Sequence, residues 1–177
     1  AGNMKKNLKT QFLKRQYMLS RDFEIYYYSD SHMEPVDLHE HNYYEFYFFL
    51  EGDVSIQIEE KLYGLRLGDV VVIPPGVRHR AVIHNPNLPY SRFVFWISID
   101  YYERLNMMSE DFFYTIRCVR EKGRHIFHNE PVGFSSIQSR IFHLIEEIHS
   151  DRFGKDSRIF LGICDLFLHL SRMIYEK

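Results

Sequence analysis

The chain has 177 residues, 45% of them hydrophobic, and a formal net charge of −2, so it can bury a core in one domain with an appendage and offers no global electrostatic case for nucleic-acid binding. Two cysteines exclude a disulfide framework and fit a reducing compartment. The longest apolar runs, such as "FVFWISI", are far too short to span a bilayer, and no apolar signal-peptide core stands near the N-terminus, so a cytoplasmic location is expected.

Residues 1–21 hold six basic side chains (Lys5, Lys6, Lys9, Lys14, Arg15, Arg21) and no acidic one, which reads as a solvated basic arm over residues 1–20. Phe12, Tyr17 and Leu19 within it are expected to dock part of the arm on the domain. From Phe23 to about Asp100 the pattern is β. "FEIYYY", "YYEFYFFL", "VSIQIE", "LYGL", "DVVVIPP", "HRAVIH" and "SRFVFWISI" are short runs rich in β-branched and aromatic residues, separated by turn signals such as "EGD", "GLRLGD" and "NPNLP". Many short strands without a helical period between them predict an antiparallel sandwich or closed barrel. Within "VSIQIE", Val54, Ile56 and Ile58 are expected on the core face, with Ser55, Gln57 and Glu59 on the wet face.

After Asp100, "YYERLNMM" predicts a short helix and "HIFHNEP" a last extended piece. Ile137, Ile141, Leu144, Ile145 and Ile148 form an amphipathic stripe that predicts a helix from Ser135. Gly154 reads as its stop and Asp156 as the N-cap of a second helix. The second helix has a seam of Ile159, Ile163, Leu166, Leu170 and Met173 and another row of Phe160, Phe167 and Ile174. One row can pack on the barrel or the preceding helix; the other is expected to seat a second copy of the chain, making a homodimer.

The chemistry concentrates in two stretches, "HEHNYYEFYFFLEG" and "GDVVVIPPGVRH". They read His39-x-His41-x3-Glu45-x6-Gly52 and Gly68-x5-Pro74-Pro75-Gly76-x2-His79. Residues two apart on a strand share a face and lie roughly 6.6 Å apart, so His39 and His41 can converge on one ion. Glu45 lies roughly 13 Å further along a straight strand, so sharing the ion requires a bend or bulge near Asn42 and Tyr43. His79 would come in from another strand. Three imidazoles and a carboxylate suit Zn, Fe, Mn or Ni; histidines at a barrel mouth also bond each other or an organic ligand without any metal. If this face points inward, Tyr43 and Tyr47 follow it, and in "SRFVFWIS" Arg92 and Trp96 share one face. Tyr43, Tyr47, Arg92 and Trp96 are therefore the candidate ligand-binding residues, Arg92 needing a partner such as Glu45 and Trp96 offering a flat surface to a sugar ring.

The paired motifs closely resemble those of the cupin superfamily, lacking the first glycine of motif one and the final asparagine of motif two, where Ile83 stands. The resemblance implies a double-stranded β-helix (jelly-roll) barrel. A cupin barrel followed by two amphipathic helices, with "LRLGDVVVIPPGVRH" at its centre, also resembles the N-terminal domain of AraC-family transcriptional regulators over about residues 20–177. That implies a barrel over residues 21–130 that binds a small-molecule effector, often a sugar or related metabolite. It further implies a dimerising helical segment over 131–177, and DNA binding only through a C-terminal helix-turn-helix domain that this sequence lacks. On this reading the chain is a non-enzymatic sensor. The rivals are a standalone cupin metalloenzyme, a dioxygenase or isomerase using His39, His41, Glu45 and His79, and a domain that dimerises and binds nothing.

Overall fold

The most apolar runs of the sequence become the middle of a five-stranded antiparallel sheet. In the computed structural model, which describes residues 17–177, the strands are β1 (Phe23–Asp30), β2 (Tyr43–Glu51), β3 (Val54–Ile58), β4 (Lys61–Gly64), β5 (Asp69–Ile73), β6 (His79–Ile83), β7 (Tyr90–Ser98) and β8 (Ile126–His128). They form two sheets, ordered β1-β7-β2-β5-β8 and β4-β3-β6. The basic residues Lys5 to Arg15 of the expected arm, and Phe12, lie outside the described residues. Tyr17 and Leu19 are exposed.

β2 and β7 are buried on both faces, which explains their near-continuous apolar sequence. One face, with Tyr43, Tyr47, Val94 and Trp96, meets Val54, Ile56 and Ile58 of the smaller sheet and forms the barrel interior. The other, with Phe46, Phe48, Phe93 and Phe95, turns outward and packs under helices. As expected, Val54, Ile56 and Ile58 face the core. Ser55, expected wet, is buried and pairs with His84 Nε2 at 2.7 Å.

The helices are α1 (Ile99–Met108), α2 (Tyr114–Lys122), α3 (Pro131–Ile148) and α4 (Lys155–Tyr175), with a 3-10 turn at Glu110–Phe113. α1 begins where the Ser98 side chain accepts the Tyr101 N–H. α2 was not expected; it ends at Gly123, whose φ of 64° closes the last turn onto the carbonyls of Cys118 and Val119. α3 starts at Pro131, four residues before Ser135, because proline suits the first helical turn. Gly154 does not stop α3, which ends at Ile148; it is instead the N-cap of α4 with φ 74°, and Asp156 lies in α4's first turn. No helix among the described residues is long and apolar enough to cross a membrane. Both cysteines are free thiols.

The expected dimer seam is corrected by the packing of α4. Ile159, Ile163, Leu166 and Leu170 are buried within the chain, Met173 packs against Gly133 on α3, and Phe167 and Ile174 of the second row are buried as well. Phe167 lies 4.7 Å from the Phe46 ring and 5.2 Å from the Phe95 ring. The physical reason is the outward face of β2 and β7. At roughly 1.5–3 kcal/mol per large side chain, its phenylalanines need cover, and α4 supplies it with one row while the other meets α3 and its neighbours.

Gly68, the first glycine of the second motif, has φ 99°, and a Cβ built there would lie 2.0 Å from the Asn129 carbonyl oxygen. The Gly68 carbonyl in turn accepts from the backbone N–H and side-chain amide of the buried Asn129. Gly68→Ala should therefore cost about 2–4 kcal/mol, since backbone must move and the left-handed conformation is strained as well; a denaturant titration with unchanged slope would measure it.

Candidate metal and ligand site

The segment before β2 is stitched to the turn that leads into β6. His39 and His79 exchange backbone hydrogen bonds, N to O at 3.1 and 2.8 Å, and the Gly76 N–H donates to the His41 carbonyl. His39 and His41 thus stand just before β2, not on it as the sequence suggested. The chain bends at Asn42, as the spacing required, and Glu45 follows on β2.

Three of the four expected ligands converge. The ligating atoms of His41, Glu45 and His79 all lie within 4.8 Å of one another. His41 Nε2 is 3.5 Å from one Glu45 oxygen and His79 Nε2 is 3.6 Å from the other. His39 stands outside this group, although its ring centroid is 4.5 Å from that of His79. Each histidine has its Nδ1 near a backbone carbonyl: Asp37 for His39, Tyr43 for His41 and Val77 for His79, at 2.9, 3.0 and 2.9 Å. A neutral imidazole that donates from Nδ1 presents Nε2 as a bare lone pair, the tautomer a metal takes. The Nε2 atoms of His41 and His79 are buried without a hydrogen-bond partner among the described residues. Buried nitrogens in this state call for an ion or a ligand group, and the N, N, O donor set fits a divalent transition metal.

The electrostatics tie Glu45 to its two histidine neighbours. Burial alone would push the Glu45 carboxyl up, but His41 and His79 outweigh it and hold it well below its ordinary value. Burial pushes His79 down, yet Glu45 overrides this and the net shift is upward. His39 is lowered, chiefly by burial.

Trp96 has a role the sequence did not reveal. It sits opposite Glu45 in the β2–β7 register, and its indole N–H donates to a Glu45 oxygen at 2.7 Å. That bond orients the carboxylate from behind. Trp96→Phe should weaken metal binding about 10–100-fold with the fold retained, as read by competition against a chelator of known affinity.

Beyond the trio lies a cavity of ≈ 90 Å³ bordered by Tyr47, Arg92, Trp96, Glu45, His39 and His79. Tyr47, Arg92 and Trp96 therefore face the cavity. Tyr43 does not: its ring is stacked 3.9 Å from His41 and packs 4.7 Å from Trp96, so it supports the ligands and does not line the space. Arg92 finds its carboxylate in Asp30 at 2.9 Å, not in Glu45, and its guanidinium also lies over the Tyr28 and Tyr90 rings. Tyr28 and Tyr90 line the cavity too and were missed, as were Ala81 and Ile83. Alternation from His79 along β6 would have found the last two.

Residues 29–89 match the cupin domain family. The barrel is of the cupin type. It is followed by the helices described above. Solved structures similar to it include a cupin 2 conserved barrel domain protein from Salinispora arenicola, 20% identical, covering 54% of this chain and 76% of that one, with a TM-score of 0.41. An RmlC-like cupin with a double-stranded β-helix fold from Methanocaldococcus jannaschii is 16% identical over 54% and 93%, TM-score 0.41. The DMSP lyase DddQ from Ruegeria pomeroyi is 25% identical over 45% of this chain and 40% of its own, TM-score 0.39. At these scores the neighbours add no argument; the assignment rests on the family match and on the barrel itself. Comparison with curated protein sequences finds no match.

Proposed function

We propose that the chain is the ligand-sensing and dimerising domain of an AraC-type transcriptional regulator, with a divalent metal ion held by His41, Glu45 and His79 in the wall of its pocket. The observation that carries this reading is the double use of β2 and β7. Glu45, Tyr47, Arg92 and Trp96 face the cavity, while Phe46, Phe48, Phe93 and Phe95 on the same two strands support α3 and α4. A ligand that shifts the pocket face of these strands acts on the helical layer through one thickness of sheet. When bound, the ion supplies a Lewis-acidic position for a ligand oxygen. The cavity is well below the ~300–1,000 Å³ of sites for drug-sized ligands, so the ligand is smaller than the sugar considered from sequence.

The homodimer passes to another face. The groove between α3 and α4 carries Arg140, Arg152 and Arg158 beside Glu146, Glu147 and Asp165, with Phe153 and Leu161 exposed next to them. Charges of both signs around an apolar centre are self-complementary across a two-fold axis. The chain should sediment as a dimer at micromolar concentration. Leu161→Asp should weaken association at least about tenfold, ~1.4 kcal/mol, with an unchanged circular dichroism spectrum; a monomeric wild type would refute dimerisation by this domain.

The partnerless Nε2 atoms support a second reading, a cupin metalloenzyme of the dioxygenase or isomerase type. Metal-dependent turnover of a small substrate by the purified chain would favour it over the sensor.

A further inference from the structure

We propose that the pocket selects a small monocarboxylate, received by Arg92 and the Tyr47 hydroxyl. The inference rests on the reading that His41, Glu45 and His79 hold a divalent ion, and it names the chemical class of the ligand.

Charge leads to it first. Arg92 is 2% exposed, although the positions paired with it on the neighbouring strands, Tyr28 and Phe49, are aromatic. A buried guanidinium in an aromatic frame is costly and needs an anion. Asp30 meets its Nη1 at 2.9 Å, and the Tyr90 carbonyl accepts from the same nitrogen. That pair is neutral as a unit. At the other pole a divalent ion with neutral imidazoles and the Glu45 carboxylate retains one positive charge. The loaded lining thus has one net positive charge in a low-dielectric space, which a single negative charge cancels and a neutral ligand does not.

Hydrogen bonding leads there independently. Tyr47 lines the cavity, and its buried hydroxyl has no hydrogen-bond partner among the described residues. On β2 it stands between Glu45 and Phe49, opposite Val94, midway between the Glu45–Trp96 and Phe49–Arg92 pairs. Its O–H can donate to a carboxylate oxygen that also faces the guanidinium. Size sets the upper limit: ≈ 90 Å³ is less than the ~150 Å³ that accommodates benzene, so the ligand has fewer heavy atoms than benzene's six.

Glycolate and glycolamide test this directly, since they share a shape and differ in charge. Zinc-loaded protein is titrated with each, following the thermal midpoint and the emission of Trp96, the chain's one tryptophan. Glycolate should raise the midpoint in a dose-dependent way and change the emission, with at least about tenfold higher affinity than glycolamide. Tyr47→Phe should weaken glycolate about tenfold and leave zinc content unchanged, and Arg92→Met should abolish the preference over glycolamide. Equal binding of the two probes, no binding of glycolate to zinc-loaded protein, or full glycolate affinity in Tyr47→Phe would each overturn the proposal while the metal reading stands. Failure of the folded protein to take up zinc or another divalent metal would remove the metal reading and this inference with it.

Discussion

Protein prepared without chelator and without a histidine tag should carry close to one equivalent of a divalent transition metal per chain, and His79→Ala should lose it. The expectation comes from three independent features of the same site. The ligating atoms already converge within 4.8 Å, the Nδ1 atoms are committed to backbone carbonyls, and the Nε2 atoms are buried without a hydrogen-bond partner among the described residues. Removing His79 deletes one of three ligands, so affinity should fall by more than the ~10–100-fold typical of losing an outer partner. The same substitution leaves the buried Glu45 carboxylate with the Trp96 donor and His41. Elemental analysis of wild type and variant, each shown to be folded, checks this. Folded wild-type protein with no metal would assign the two Nε2 atoms to an organic ligand instead.

Leu170→Asp should unfold the domain, not dissociate a dimer. Leu170 is 0% exposed and belongs to the cluster that joins α4 to the outer face of the large sheet. A carboxylate there has no cationic partner among the core residues packed around it, and burying an unpaired charge costs more than about 4 kcal/mol, or protonates the group at comparable expense. For a domain of this size that corresponds to roughly 10 °C or more in Tm. Thermal denaturation followed at two wavelengths would measure it. A folded, monomeric Leu170→Asp protein would restore the interface that the amphipathic pattern first suggested and displace the groove at Leu161.

These two cases show what the amino-acid sequence makes legible. The His41, Glu45, His79 constellation could be read because short-range spacing and a turn place each member, and the bend at Asn42 follows from the reach of a strand. The partners of Arg92 and Trp96 could not. Trp96 meets Glu45 because β2 and β7 pair in one register, and Asp30 reaches Arg92 because β1 lies on the other side of β7. Both depend on long-range pairing that no local pattern encodes. The α4 seam was legible as buried but not as to what covers it, since an apolar stripe says only that water is excluded. α2 escaped because it has nine residues and only part of one face is buried, too short a run for its period to stand out.

The segment between β1 and β2 supplies part of the cavity wall through Met33, Val36 and His39. Apart from the His39–His79 bridge it belongs to no ladder. Its attachments near the site are the two backbone bonds between His39 and His79 and the one from Gly76 to His41. Widening the pocket on this side therefore needs only a local opening of this stretch, far cheaper than separating the sheets. The amide protons of His39, Gly76 and His79 should exchange with solvent together each time the wall swings out. Their exchange rates would time the arrival and departure of a ligand without reference to the rest of the barrel.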